Sequence, residues 1–224
     1  KDWSNVIIPE EEEINERLEK ARNKLVQQQI LIMQKKLPVL VSFDGWGAAG
    51  KGSILGKIIK NIDPRFFKVA VMDKPTEDEK RRPFLYRYVI NIPEAGKFTF
   101  MDGGCLDEVT KQKLSGKITD EEYKRKIESV KRFERQLSDN GYLVIKFFFH
   151  IGEQEQRKRL TRLLDDKNTR WRVSEYDWWQ NQHYKKSLKA FDQFIDDTSQ
   201  SIAPWYIVDA TDKKWAQLQI LETL

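Results

Sequence analysis

The stretch Phe43-Asp44-Gly45-Trp46-Gly47-Ala48-Ala49-Gly50-Lys51-Gly52-Ser53 constrains the fold of this chain more than any other. Gly45, Gly50 and Lys51 stand at the G-x-x-x-x-G-K spacing, and the patterns on either side interpret it. Before it, Leu37-Pro38-Val39-Leu40-Val41-Ser42-Phe43 is a short apolar run that suits a buried strand. After it, Ile54, Leu55, Ile58 and Ile59 mark one face of a helix that Asn61-Ile62-Asp63-Pro64 stops. Strand, glycine loop and helix in this order make a phosphate cradle. Glycines let backbone N–H groups turn toward an anion, the helix N-terminus adds partial positive charge, and Lys51 adds a full one. The candidate phosphate-binding residues are Gly45, Gly47, Ala48, Ala49, Gly50, Lys51, Gly52 and Ser53, with Lys51 also a candidate for catalysis. A tight turn without a ligand is the alternative reading of the same glycines.

One position departs from the general pattern. Gly52 follows Lys51 where most loops of this kind place the Ser or Thr whose hydroxyl meets magnesium, and Ser53 comes one residue late. The next candidate to hold Mg2+ is Asp102, which closes the apolar run Phe98-Thr99-Phe100-Met101. A turn-forming Asp ahead of Gly103-Gly104 is its other reading.

Around this unit the chain alternates. Apolar runs at Phe66 to Met72, Phe98 to Met101, Tyr142 to Phe149 and Trp205 to Val208 read as buried strands, separated by stretches of helical spacing. A long amphipathic helix is expected over about 10–36, where Ile14, Leu18, Ala21 and Leu25 share a face. Thr119 or Asp120 caps another, carrying Tyr123, Ile127, Val130, Phe133 and Leu137 to a stop at Asn140-Gly141. A further helix is read from Trp215 to Leu224. The fold class is α/β: a parallel sheet flanked by helices, in one domain over 1–224.

Charge and composition limit the partners. The chain carries 40 Lys and Arg against 35 Asp and Glu, and between Arg157 and Arg172 seven basic residues face only Asp165 and Asp166. That segment is either a solvated helical face or, coupled to a phosphate loop, a basic lid over about 153–190. One cysteine, Cys105, allows no internal disulfide and fits the cytoplasm. Two histidines leave little for zinc, and His150 and His183 read as packing residues. No apolar run reaches the length of a membrane span, and Lys1-Asp2-Trp3-Ser4 has no signal-segment pattern, so no membrane partner is expected.

Taken together, these residues resemble the polyphosphate kinase 2 family, and more closely the paired-domain polyphosphate:AMP phosphotransferases within it. The likeness runs from about Pro38 to Ala216. It is carried by the Gly-Lys-Gly ending of the loop, Asn61 to Arg65, Pro75-Thr76-Glu77, Arg87-Tyr88, Phe133 to Leu137, Glu155-Gln156, Trp171-Arg172-Val173-Ser174, Asp177, Ala203-Pro204-Trp205 and Asp212-Lys213. The resemblance implies a P-loop kinase-like fold with a helical lid and Mg2+-dependent phosphoryl transfer between inorganic polyphosphate and a purine nucleotide, AMP or ADP, with ATP as the other nucleotide partner. By position, Lys51 and the loop amides would hold phosphates, Asp102 the metal, and Arg159 and Arg162 would belong to the lid.

Two departures from the family pattern shape the remaining expectations. Gly47 stands where active members usually have Asp, and Gly103-Gly104-Cys105-Leu106 follow Asp102 where the family pattern has Arg-Ser-Trp-Tyr. Asp44, also a candidate metal ligand, and Asp107 are the acids that could compensate. Arg81, Arg82 and Arg87 are the cations, Arg87 being counted among the phosphate-binding residues. The alternative function is a catalytically impaired domain that binds polyphosphate or nucleotide, or pairs with another domain, in a tandem phosphotransferase. An ATP-dependent nucleotide kinase is a third. A homo-oligomer or an intramolecular domain pair is expected, and no nucleic-acid partner.

Overall fold

The structure, a computed structural model, describes residues 8–224. The Lys1-to-Ser4 stretch, on which the absence of a signal segment was read, lies outside the described residues. Among the described residues five strands are all parallel: β1 (Val39–Gly45), β2 (Phe67–Val71), β3 (Phe98–Asp102), β4 (Leu143–His150) and β5 (Trp205–Asp209). Their order across the sheet is β2-β3-β1-β4-β5, which puts β1 at the centre. From β1 the chain passes to the edge strand β2, returns to β3 beside β1, and then crosses to β4 and β5 on the other side, so the direction of winding reverses next to β1 and its carboxyl end is the switch point at which open α/β sheets bind ligands.

Alternation along β1 decides what each face does. Val39, Val41 and Phe43 enter the main core, where Phe43 stacks on Phe100 at 6.1 Å and on Phe147 at 5.7 Å. Leu40 points the other way, toward Met101, Val144 and Leu137. Helices cover both faces. On one lie α1 (Glu11–Gln34), α2 (Lys51–Ile59) and α10 (Lys213–Thr223). On the other lie α5 (Cys105–Leu114), α6 (Asp120–Asp139) and α9 (Tyr184–Thr198). Two short helices, α3 (Glu77–Arg81) and α4 (Tyr86–Val89), follow β2, and α7 (Glu153–Asp165) and α8 (Glu175–Gln182) fill the segment after β4.

The helices start where their sequences say. Glu11, Glu12 and Glu13 place negative charge on the first turn of α1, and Ile14, Leu18, Ala21 and Leu25 bury its inner face against α10. Thr119 and Glu122 form a reciprocal capping box at the start of α6. Behind the sheet, Lys146 of β4 and Glu134 of α6 meet in a buried ion pair, with Lys146 Nζ donating to both carboxylate oxygens at 2.8 and 2.9 Å. Among the described residues no helix is long and apolar enough to cross a membrane.

Candidate active site

The loop from Gly45 to Gly50 joins β1 to α2, with Gly50 in the left-handed region (φ 93°) as the residue that admits the chain to the helix. Trp46 anchors it from below: its indole is fully buried and stacks on Tyr184 at 4.1 Å. Lys51 Nζ donates to Gly45 O and Trp46 O, both at 3.0 Å, so the ammonium lies over the loop. The N–H groups of Ala48, Gly50, Lys51, Gly52 and Ser53 have no protein acceptor among the described residues. Five open amides and one ammonium converge at the start of α2, an arrangement that receives phosphate oxygens.

Side chains of α7 hold this loop from outside. Arg159 of α7 donates through Nη1 to Ala49 O at 3.2 Å and Ala48 O at 3.5 Å, and through Nη2 to Ala210 O at 2.9 Å and Thr211 O at 2.7 Å, while Glu155 accepts from its Nε at 2.7 Å. Gln156 Nε2 donates to Gly47 O at 3.3 Å. In a trans peptide the N–H points opposite to the C=O. Carbonyls drawn outward by Gln156 and Arg159 therefore turn the amides of Ala48 and Gly50 inward. Arg159, placed with Arg162 in the lid by the sequence, is engaged by four backbone carbonyls and so orients the loop backbone. Arg162 is exposed on α7, and beyond it Arg170 and Arg172 flank Trp171, whose side chain is 75% exposed.

Asp102 ends β3 beside the first turn of α2, its Oδ2 3.2 Å from where a Cβ on Gly52 would lie. Gly52, unusual after the loop lysine, thus leaves room for this carboxylate. Burial pushes Asp102 above the ordinary carboxylate range, with the Lys51 charge working against that. Asp107 on α5 is raised in the same way, opposed by Lys51 and Lys111.

Asp44 has a different place from the one the sequence led us to expect. It is 1% exposed on the α5 face of β1, and its oxygens accept from Ser42 Oγ at 2.8 Å, Gly104 N at 3.0 Å and Asp107 N at 3.4 Å. It caps α5 rather than opening toward the loop. A Cβ on Gly104 would overlap Asp44 Oδ2 and Ser42 Oγ, so Gly104 is what lets the carboxylate sit beneath the helix. Burial raises Asp44 from 3.8 to about 6, the Ser42 hydrogen bond opposing and Asp107 adding. The folded state thus holds this proton more tightly than the unfolded chain. The resulting cost is absent below about pH 4, grows through pH 4–6 and is complete above, on the order of 2–3 kcal/mol. Asp44→Asn keeps an acceptor for Gly104 N, and is expected to raise the thermal midpoint at pH 8 while leaving it nearly unchanged at pH 4, as calorimetry at the two pH values would show.

Arg87 is likewise placed away from the loop. It is 7% exposed, donates to Asp73 O at 2.6 Å and lies 3.8 Å from Glu79 and 3.9 Å from Glu108. Its surroundings are a cavity of about 910 Å³ beside Gly103 and Gly104, whose wall includes Lys74, Lys80, Lys111, Tyr176 and Trp179. Tyr176 and Trp179 stack at 5.8 Å, and Lys111 Nζ lies 4.0 Å from the Tyr176 ring centre. Sequence reading did not single out Gln156, Gln180, Asn181 or this aromatic pair as site residues. Nothing in a glutamine's neighbours along the chain marks it as a loop clamp.

The family model described as polyphosphate kinase 2 matches residues 9–224. The chain belongs to the polyphosphate kinase 2 family. It is 32% identical over 190 residues to the polyphosphate:AMP phosphotransferase of Pseudomonas syringae pv. tomato, covering 85% of this chain and 38% of that protein. It is 30% identical to an ADP-polyphosphate phosphotransferase of Rhizobium meliloti, covering 89% of this chain and 65% of the relative. The crystal structure of a putative polyphosphate kinase 2 from Pseudomonas aeruginosa superposes with a TM-score of 0.90 at 28% identity, over 97% of this chain and 47% of that one. The α/β sheet flanked by helices read from the sequence is thus the fold of this polyphosphate kinase 2 domain. The chain spans 37–39% of the length of the curated relatives it matches first.

Proposed function

We propose that this chain carries out Mg2+-dependent phosphoryl transfer between inorganic polyphosphate and a purine nucleotide, AMP or ADP. The observation that carries this reading is the cradle of five unpaired amides and Lys51, held open by Arg159 and Gln156 and flanked by Asp102. Phosphoryl transfer asks a protein chiefly for positioning and charge stabilisation, which such a cradle supplies. The cavity beside Gly103 accommodates the nucleotide, its lysines facing phosphates and Tyr176 and Trp179 giving an aromatic wall to the base.

Asp102 is the residue that would hold magnesium. Its carboxylate is a hard oxygen donor beside the amides, and among the described residues no three His, Cys, Asp or Glu side chains form a complete metal cage. That fits Mg2+, which binds through one or two carboxylates together with substrate phosphates and water. When bound, it neutralises charge on the phosphate oxygens. Lys51 exchanges its contacts with the carbonyls of Gly45 and Trp46 for phosphate oxygens, and Arg162 with Arg170 and Arg172 closes over the transferring group and excludes water. The reaction belongs in the cytoplasm, where Cys105 stays reduced, and the domain works beside another copy or a second domain of the same protein.

A coupled assay offering AMP and ADP separately with polyphosphate and Mg2+ tests this. Nucleotide phosphorylation that stops on chelation is expected. Folded protein that transfers nothing to either acceptor overturns the reading, and transfer from ATP without polyphosphate replaces it with an ordinary nucleotide kinase.

A further inference from the structure

Gly47 meets the lid on three sides. Its N–H donates to Gln180 Oε1 at 2.9 Å, its C=O accepts from Gln156 Nε2 at 3.3 Å, and the space its missing side chain would take is filled by the carboxylate of Asp177. The seating of α8 on the loop is fixed by a polar network that excludes water. Gln156, Gln180 and Asn181 are 0%, 1% and 2% exposed, with Gln156 Nε2 to Gln180 Oε1 at 2.8 Å and Asn181 Nδ2 to Gln156 Oε1 at 3.0 Å. Moving α8 would strand these buried amides without partners, so the network resists displacement. The direction of Asp177 toward Gly47 is therefore set by the fold.

The two oxygens of Asp177 differ. Oδ2 accepts from Ser174 N and Ser174 Oγ, both at 2.8 Å, and closes the capping box of α8. Oδ1, the atom nearest the empty side-chain position of Gly47, accepts no hydrogen bond among the described residues. Its charge reaches Asp107 and helps to raise that carboxyl. A carboxylate oxygen with no donor, beside amides arranged for phosphate, opposes anion binding unless a cation lies between them.

We propose that Asp177 supplies, from α8, the acidic side chain of the phosphate loop, with Oδ1 contacting the divalent cation that accompanies the phosphate. Cation binding and the seating of α8 on Gly47 are then one event. Gly47 is the loop's docking point for that carboxylate rather than a simple loss of function. This rests on the phosphate-transfer reading of the same site.

The test is Mn2+ titrated onto the full chain without nucleotide or polyphosphate, with the free ion read by electron paramagnetic resonance. Asp177→Asn is expected to weaken Mn2+ binding by about tenfold or more. Ser174→Ala breaks the same cap but leaves the carboxylate, so it should lower the thermal midpoint and keep Mn2+ affinity within about twofold of wild type. The exchange Gly47→Asp with Asp177→Gly moves the acid onto the loop and frees the space it needs, and should recover most of the affinity that Asp177→Gly alone loses. Wild-type protein that takes up no Mn2+, Asp177→Asn that binds as wild type, Ser174→Ala that loses as much as Asp177→Asn, or a folded exchange variant with no recovery each overturn the proposal. Because Mn2+ uptake needs no turnover, a chain that binds through Asp177 yet transfers no phosphoryl group sinks the transfer reading alone. An active chain indifferent to Asp177 in this titration sinks only the present one.

Discussion

Lys51→Ala is expected to lower kcat/KM for phosphoryl transfer by roughly 100- to 1,000-fold, the loss that follows removal of one preorganised charge-stabilising donor. The side chain sits at the first residue of α2, and its ammonium contacts two loop carbonyls at 3.0 Å. Those contacts are part-buried hydrogen bonds to backbone carbonyls, so their loss costs stability only about 1–2 kcal/mol. The separation of the two effects is the diagnostic point. A variant that melts near wild type but transfers poorly shows a residue working in the reaction, whereas one that merely unfolds would lose both together. Lys51→Arg should not rescue, because a planar fork of fixed geometry cannot replace a point charge that must leave two carbonyls and reach a phosphate. Steady-state assays with polyphosphate and ADP, paired with calorimetry of each variant, measure both quantities. Wild-type kcat/KM in Lys51→Ala would remove the lysine from the mechanism.

Sequence alone made the centre of this site legible and left its supports hidden. The spacing of Gly45, Gly50 and Lys51 and the apolar runs around them lie within one continuous stretch, so local pattern was enough to foresee β1, the cradle and α2. The position of Asp102 at a strand end was foreseeable, and all five strands were placed near their observed bounds because buried parallel strands are continuous apolar runs. The duties of Asp44, Arg87 and Arg159 were not foreseeable, since each depends on a neighbour distant in the chain. Asp44 turns to α5 because β1 alternates and because Gly104, sixty residues on, leaves a space. Arg159 meets carbonyls at positions 48, 49, 210 and 211, a convergence no local spacing encodes. Gly47 is the clearest case: as a letter it marks a missing acid, and only the packing of α8 shows a carboxylate in that space.

A second large effect is expected behind the sheet, at Lys146. Its ammonium is bound by Glu134 at 2.8 and 2.9 Å, donates to Thr198 O at 3.1 Å and lies 4.9 Å from the Trp205 ring centre. Burial pushes the Glu134 carboxyl up and the Lys146 ammonium down, while their contact pulls each the other way. Lys146→Met leaves a buried carboxylate with only Gln200 Nε2, at 3.1 Å, to answer it. The expected cost is about 3–5 kcal/mol at pH 8, read as a lower urea midpoint with an unchanged slope. The sign with pH follows from Glu134. With its cation gone the folded-state carboxyl titrates higher still, so the penalty is full above that midpoint and shrinks as pH falls and the group takes up a proton. Lys146→Met should therefore be less destabilised relative to wild type at pH 5 than at pH 8. Adding Glu134→Leu removes the stranded charge and should return most of the loss, because apolar residues of similar volume commonly match a buried ion pair in stability. A single variant within about 1 kcal/mol of wild type at pH 8 would mean that water reaches Glu134 and that the pair contributes little. A double variant no better than the single one would place the cost in packing around Trp205 and the Thr198 carbonyl rather than in the charge.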